Sequence, residues 1–492
     1  MQRATATGLG AKGLALVVAA AGVHACAAEA PSEAPSGGAA TSHVEQALDE
    51  LRPHGGRRGS AAALPIGARE GDGDGGEPDG GAGSHAARPD VEQRPPKKHH
   101  THRRRHRGHH PPRSCGGGCE GGLSFTAIAS SSGDFTIAPL AVALNDEGLV
   151  AFSGADSGGV ERLLLGSGGA LTALDVSLWG LERVGRLALD GEGALAFIAA
   201  TATSGSFFGA FATDTDGSGP TVLYAPEAGG GLADDGALEA SSRIAIAANG
   251  TVAFSSIQDG HGALYRGPVS GSLAVVRTGT GAFYNNQELD VNAAGTVAMQ
   301  MEHGACGLQR GVLLFDDPEP DIDDVFKAIA GVSVGQQPDT ALNDSGLVAF
   351  ALTGTAPDVD VLRCPEGEDP EHLNVALGVY TAHPTPLSDP PALSLVADST
   401  GAFASFGAVD INDAGTVVFE ADLDGGGRGI YRGPDPVGDR IVAVGDELGG
   451  EVVTDIQLGQ LNDECELAFA AVTASGRSVW RASGVAPGGS SR

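Results

Sequence analysis

Three observations predict an all-β fold of the propeller type for most of this chain. A short phrase on the pattern Asn-x-x-Gly-x-x-Ala-Phe returns seven times along its second two-thirds. Each return is followed by further short apolar runs at strand spacing. An apolar run ahead of the first copy supplies the strand that the last copy lacks. A period of roughly 40–50 residues with β patterning is the signature of a bladed array.

The copies are Asn145–Phe152, Asp190–Phe197, Ala247–Phe254, Asn292–Met299, Asn343–Phe350, Asn412–Phe419 and Asn462–Phe469. Their glycines fall at 148, 193, 250, 295, 346 and 415, with Cys465 in the last copy, so the gaps run 45, 57, 45, 51, 69 and 50. In the sixth copy, Val409-Asp410-Ile411 enters, a polar turn follows, and Val417-Val418-Phe419 leaves. An Asn side chain can bond its own backbone two residues on. A Gly three positions later supplies the left-handed conformation of a type I turn with a G1 bulge. Each copy is therefore a tight hairpin, and Ala-Phe sets one small and one large residue for close sheet packing.

A third strand follows, as Gly262–Gly267, Gly429–Gly433 and Ser478–Arg481, with weaker versions at Val160–Leu165, Gly209–Thr213, Gly311–Phe315 and Gly378–Thr381. A fourth run comes next, such as Leu273–Val276 or Ile441–Val444. Four short antiparallel strands make a propeller blade. After the seventh copy the chain supplies only three strands, and Leu123–Ala129 provides the missing one. A blade shared between the ends closes the ring and hides its edges. Seven four-stranded blades are expected. The degenerate second to fourth copies and the 69-residue gap leave six or eight open, and an open β-solenoid or two stacked sandwiches is the rival architecture.

The front of the chain is of another kind. Residues 1–26 have the form of an export signal: Arg3 and Lys12, an apolar run from Gly13 to Val23 too short to span a bilayer, then small residues. Val23-His24-Ala25-Cys26 resembles a bacterial lipobox, whose cysteine is acylated, although His24 departs from the pattern. Ordinary cleavage after Ala25 or Ala27 is the alternative. Residues 27–119 are rich in Gly, Ala, Pro, Ser and charge, a composition that cannot bury enough apolar surface to fold. They end in a basic tract holding Lys97, Lys98, Arg103, Arg104, Arg105 and Arg107 among histidines. The tract is either an arm for polyanions or metal, or a solvated linker; the linker is the preferred reading. Residues 120–485 form the repeat domain and 486–492 a flexible tail.

The chain carries a net charge of −32, and it divides unevenly. The 30 Lys and Arg split 15 and 15 at residue 119, while the 62 acids split 12 and 50, leaving the front near +3 and the repeats near −35. So acidic a domain argues against nucleic acid as a partner. It suits a soluble monomer that touches membrane only through a lipid anchor if Cys26 is acylated.

Few residues offer chemistry, and none stands out as catalytic. Gly331–Gly335 matches a nucleophile-elbow pattern around Ser333, but Gln336-Gln337-Pro338 and another hairpin follow where a helix is needed. This stretch reads instead as a strand near the fifth blade. Asp214-Thr215-Asp216-Gly217 has the look of the start of a calcium loop, with Asp214 and Asp216 as ligands, and Asp422–Gly425 echoes it; both lack a distal Glu. Calcium is thus the one cofactor on offer. Arg266, Arg432 and Arg481 recur in register after the third-strand aromatic, which points to blade-to-blade packing rather than a shared surface. Of the six cysteines, Cys306 and Cys364 lie at matching places in adjacent repeats and form the preferred disulfide. Cys115 and Cys119 could bond each other, or one of them could reach Cys465. With 2 Trp and 5 Tyr in the chain, an aromatic carbohydrate groove is weakly supported.

The recurring phrase resembles that of bacterial exported proteins with tandem NxxGxxAF repeats, whose anchoring signals vary. The likeness covers about residues 120–485 and departs from the pattern at Ala247, Met299, Val418 and Cys465. It implies an exported protein at the outer membrane or cell surface, or in the periplasm or medium, and carries over no catalytic residue. Two functions are expected in order. One is a non-enzymatic binding or scaffold module for a protein or envelope glycan, using rim loops such as Asp316–Asp324 and Cys364–His372. The other is a hydrolase or lyase of propeller type acting on a glycan.

Overall fold

A computed structural model describes residues 122–485, apart from 132, 202–207, 225–242, 259–260, 271–272, 280–288, 304–308, 316–326, 333–338, 354–357, 364–370 and 384–391. The chain divides into two compact units, Met1–His102 and Arg103–Arg492, and every described residue belongs to the second. Among the described residues there is no α-helix.

Each motif copy heads one antiparallel sheet, which takes the number of that copy. In the sixth, Phe403–Ile411 is innermost, Val417–Leu423 carries the Phe, and Arg428–Tyr431 and Arg440–Ala443 follow outward. The inner strands follow one another around a closed circle, from Phe135–Leu144 through Leu181–Leu189, Ile244–Ile246, Leu289–Val291, Thr340–Leu342 and Phe403–Ile411 to Asp455–Leu461, which lies beside the first. The expected propeller is present, and so is its closure. Ser124–Ser130 pairs antiparallel with Gly476–Ser483, from Ser124 opposite Ser483 to Ser130 opposite Ser478.

The expectation of seven four-stranded blades needs correction. Six sheets have that form, and the fourth copy heads a six-stranded sheet instead. Its extra hairpin, Asp358–Arg363 with Glu371–Ala376, joins Lys327–Val332 through the pair Val332 and Val361. This hairpin comes from the 69-residue gap: it leaves the fifth blade after its second strand and adds to the fourth sheet's free edge. The stretch before Ser333, placed near the fifth blade by sequence, is the fourth sheet's fourth strand, and Ser333 itself lies outside the described residues.

The hairpins are built as their residues demand. Gly148 donates its N–H to the Asn145 carbonyl, while Asn145 Oδ1 accepts from Glu147 and Leu149. The motif glycines all have positive φ, and Cys465, at φ 59, is the non-glycine among the described residues that shares it. Gly148 is required twice over, because a Cβ there would also collide with Arg481 Nη1.

The Asn does more than turn the chain. Asn292 Nδ2 donates to the carbonyl of Asn343 at 3.4 Å, Asn343 to Asn412 at 3.0 Å, Asn412 to Asn462 at 3.1 Å and Asn462 to Asn145 at 2.8 Å. A second chain runs beside it. The N–H after the Asn donates to an aspartate one blade on: Ala293 to Asp344, Asp344 to Asp413, Asp413 to Asp463 and Asp463 to Asp146. The recurrent arginines act between blades as expected. Arg266 donates to the Gly295 carbonyl, Arg481 to that of Gly148 at 2.5 Å, and Arg432 to that of Gly484 at 3.4 Å.

Apolar packing follows the same logic. The motif phenylalanines 152, 197, 254, 350, 419 and 469, and Met299 in their place, are fully buried. Each packs toward the preceding blade, and the small residue before it receives the next blade's large one. Ala151 thus lies in one cluster with Phe197, Ala196 with Phe254, and Ala468 with Phe152. The core is therefore a set of seams between sheets rather than one central mass. Fully burying each Phe contributes roughly 1.5–3 kcal/mol.

Candidate functional site

The inner strands surround a central channel. Their side chains alternate, so every second residue counted back from the motif faces it. Two positions back stand Ala143, Ala188, Ala245, Asp290, Ala341, Asp410 and Gln460; four back, Ala141, Arg186, Arg243, Asp339, Ala408 and Leu458. All of these line one cavity of about 320 Å³, joined at its side by Glu420 and Arg428. At one end the motif turns form the channel mouth, where Asp146, Asp190, Asp344, Asp413 and Asp463 converge.

Residues that repeat around the ring hold the ring together. Those that break the repeat are candidates for function, and here they are Arg186, Arg243, Asp290, Asp339, Asp410 and Gln460 on a wall otherwise mostly of alanine. Several also serve the seams. Inner strands have an edge facing the channel, and its N–H groups need acceptors. Asp290 Oδ2 accepts from Leu342 at 2.8 Å, Asp410 Oδ2 from Leu461 at 2.5 Å, and Gln460 Oε1 from Leu144 at 3.1 Å. Asp339 Oδ2 accepts from Val409 at 3.3 Å, and Glu420 Oε1 from Leu458 at 2.5 Å while Oε2 pairs with Arg428. The seam role is thus real, while the other blades carry alanine at the same level.

Withdrawal from water sets the charge state of these carboxyls. Burial pushes Asp410 up to about 8, with the charges of Asp290 and Asp463 adding to it and backbone N–H groups opposing. Burial raises Asp290 to about 6, against its backbone N–H bonds and the opposing charge of Arg243. At the mouth, burial and the charges of Asp413 and Asp146 raise Asp463 to about 7 and lift Asp344 above the ordinary carboxylate range. Asp190 rises to about 6, mainly through burial. Such shifted groups gathered in one cleft are a recognised mark of functional sites, though structural networks produce them too.

The sequence-predicted residues lie elsewhere. Asp214 and Asp216 sit in a turn where Gly217 donates to the Asp214 carbonyl and Asp216 Oδ1 accepts from Ser218 at 2.9 Å, so the Asp216 carboxylate folds back on its own loop. Asp422 Oδ2 accepts from Ser405 Oγ at 2.7 Å. Among the described residues no group of three or more His, Cys, Asp or Glu is placed to hold a metal. Cys26, Lys97, Lys98, Arg103, Arg104, Arg105, Arg107, Cys306 and Cys364 lie outside the described residues, as does the loop at Asp316–Asp324. Of Cys364–His372, only Glu371 and His372 are described, and they begin a strand of the fourth sheet. Sequence reading missed the channel residues. The signal was there, in the divergence of the repeats two and four residues before each motif.

The fold and its polar channel define the class as a β-propeller. No protein-family model matches the chain, and no curated protein does. Among solved structures it is similar to a prolyl endopeptidase, at 13% identity and a TM-score of 0.41, covering 71% of this chain and 50% of that one. It is also similar to the polysaccharide lyase Uly1, at 9% identity and a TM-score of 0.42, covering 70% and 89%. A third is TolB from Acinetobacter baumannii, at 12% identity and a TM-score of 0.34, covering 73% and 79%. The chain spans half the length of the prolyl endopeptidase. Likeness at this level concerns the fold alone.

Proposed function

We propose that this is an exported propeller of the NxxGxxAF-repeat kind that acts as a non-catalytic binding module, anchored in the envelope through Cys26. Its ligand is taken at the channel and the rim around it. One observation carries this: the residues that break the repeat on the inner strands gather on a single cavity of about 320 Å³. Charges set in a deep channel cost desolvation, and other blades carry alanine at the same level.

The test is a thermal-shift screen of the purified protein against envelope glycans, free amino acids and divalent cations, calcium among them. A ligand that raises Tm in the native protein but not in Arg186→Gln supports channel binding. A flat screen rejects it. Loss of labelled lipid in Cys26→Ala would support the anchor, and persisting label would remove it.

A second reading is a glycan hydrolase or lyase. It is favoured by Asp410, a carboxyl that keeps its proton near neutrality, as a general acid must. Release of reducing ends or of an unsaturated product from envelope polysaccharide, abolished in Asp410→Asn, would establish it.

A further inference from the structure

Charges on the channel wall narrow the ligand. Arg186 and Arg243 stand at the same level of neighbouring inner strands, in the second and third blades. Arg243 reaches across the channel, its Nη2 lying 3.7 Å from Asp339 Oδ1 in the fifth blade. Two residues nearer the motif turns, about 6–7 Å along the strands, Asp290 and Asp410 face the same cavity. A guanidinium presents five N–H donors in a fork that matches a carboxylate. A carboxylate has about four acceptor positions; Asp290 accepts from Leu342 and Val291 and Asp410 from Leu461 and Ile411, which leaves each able to accept about two more bonds from a ligand.

The cavity therefore has one level that carries Arg186 and Arg243 against the single acid Asp339, with Glu420 and Arg428 pairing each other at the side, and a second level that carries Asp290 and Asp410, set a few ångströms apart. We propose that the channel holds a small zwitterion, a free amino acid or very short peptide, with its carboxylate against Arg186 and Arg243 and its ammonium toward Asp290 and Asp410. This rests on the reading of the channel as a binding site and adds the chemical class. At about 320 Å³ the cavity lies at the small end for ligand sites, which fits such a molecule better than a polysaccharide chain.

Burial supports the assignment. Without a ligand Asp410 faces the acids Asp290 and Asp463, with Gln460 and the Leu461 and Ile411 N–H groups beside it, and holds a proton near pH 7. An arriving ammonium favours the charged carboxylate and lowers its pKa. Binding near pH 7 then releases protons to the buffer.

The experiment is titration calorimetry of the full chain with pools of free L-amino acids and dipeptides, in two buffers of different ionisation enthalpy. For each binder the N-acetyl and amide derivatives are run beside it. The expected result is saturable binding, weakened about tenfold or more by blocking either end or by Arg186→Gln, with buffer-dependent heat that reports proton release. Arg243→Gln is the second variant, and both must keep the native circular dichroism spectrum. No saturable heat from any pool at millimolar concentration overturns the inference, as does equal binding of the blocked derivatives. A glycan that binds the channel in the thermal-shift screen while amino acids do not would leave the binding reading standing and sink this one alone.

Discussion

Asn462 Nδ2 donates a 2.8 Å hydrogen bond to the carbonyl of Asn145, a residue 317 positions away in the chain. The bond joins the last motif copy to the first and closes a chain of asparagines followed from Asn292. A residue that looks local in sequence is in fact a long-range clasp. Its Oδ1 shapes its own turn, and its Nδ2 satisfies the neighbour's carbonyl.

Asn412→Asp separates these two roles. The variant keeps the acceptor for the Thr416 N–H but loses the donor to Asn462, and it sets a carboxylate against that carbonyl. Since Asn412 is buried, the expected loss is about 1–3 kcal/mol, seen as a lower midpoint in chemical denaturation. A midpoint equal to the native one would show that the clasp adds nothing beyond the turn.

Buried tyrosines of the third strand make a matched pair. Tyr380 donates its hydroxyl to the Ala376 carbonyl at 2.9 Å, whereas the Tyr431 hydroxyl is buried without a hydrogen-bond partner. Tyr380→Phe should therefore cost about 1 kcal/mol, and Tyr431→Phe should be neutral or stabilising. The order of the two melting temperatures checks this, and a reversed order would refute it.

What could be read from sequence was whatever recurs. The hairpins, the burial of Phe152 and its equivalents, the arginines between blades and the strand from Ser124 all follow from patterns returning in register. The hairpin Asp358–Ala376 was not legible, because nothing local tells an insertion to pair with the neighbouring sheet rather than its own. The channel was illegible for the opposite reason. Asp290 and Asp410 are single departures from alanine, and one departure looks like drift until the inner strands bring it beside the others.

Acid should stabilise this domain. Asp190 and Asp290 titrate near 6, Asp463 near 7 and Asp410 near 8 in the fold, against about 3.9 in an unfolded chain. Between pH 4 and 8 the native state then holds protons that the unfolded state has lost, so stability falls as pH rises through this window. At about 1.4 kcal/mol per pKa unit the four groups would sum to roughly 15 kcal/mol if they titrated independently; Asp410 faces both Asp290 and Asp463, so they do not, and the effect is smaller. Tm should be higher at pH 5 than at pH 8, with a smaller difference in Asp410→Asn. A Tm that climbs steadily from pH 5 to pH 8 would be incompatible with these shifts.

Deleting Ser124–Ser130 should open the ring. Phe125 packs edge-on to Phe469 with centroids 6.2 Å apart, Ile128 is buried, and the strand covers Gly476–Ser483, which would become a free edge. The truncated protein should melt lower and form oligomers in light scattering. A monomer with native Tm would mean that the shared blade is dispensable.

Cys465 stands at the same junction. It is disulfide-bonded, and it holds the left-handed turn position that glycine fills in the other copies. All five remaining cysteines lie outside the described residues. The Val485 N–H bonds the Cys465 carbonyl at 3.0 Å and Ser124 pairs with Ser483, so the chain enters its first strand beside Cys465, five residues after Cys119. The expected partner is Cys119 or Cys115. A bridge over so long a loop adds about 6 kcal/mol in the chain-entropy account. Cys465→Gly is the informative variant, because glycine takes this backbone conformation freely and any loss of stability then belongs to the bridge. Non-reducing peptide mapping should join the Cys465 peptide to the one holding Cys115 and Cys119, and reductant should lower Tm further in the native protein than in Cys465→Gly. A map joining Cys465 to Cys306 or Cys364 would overturn the assignment, and with it the preferred pairing of those two cysteines.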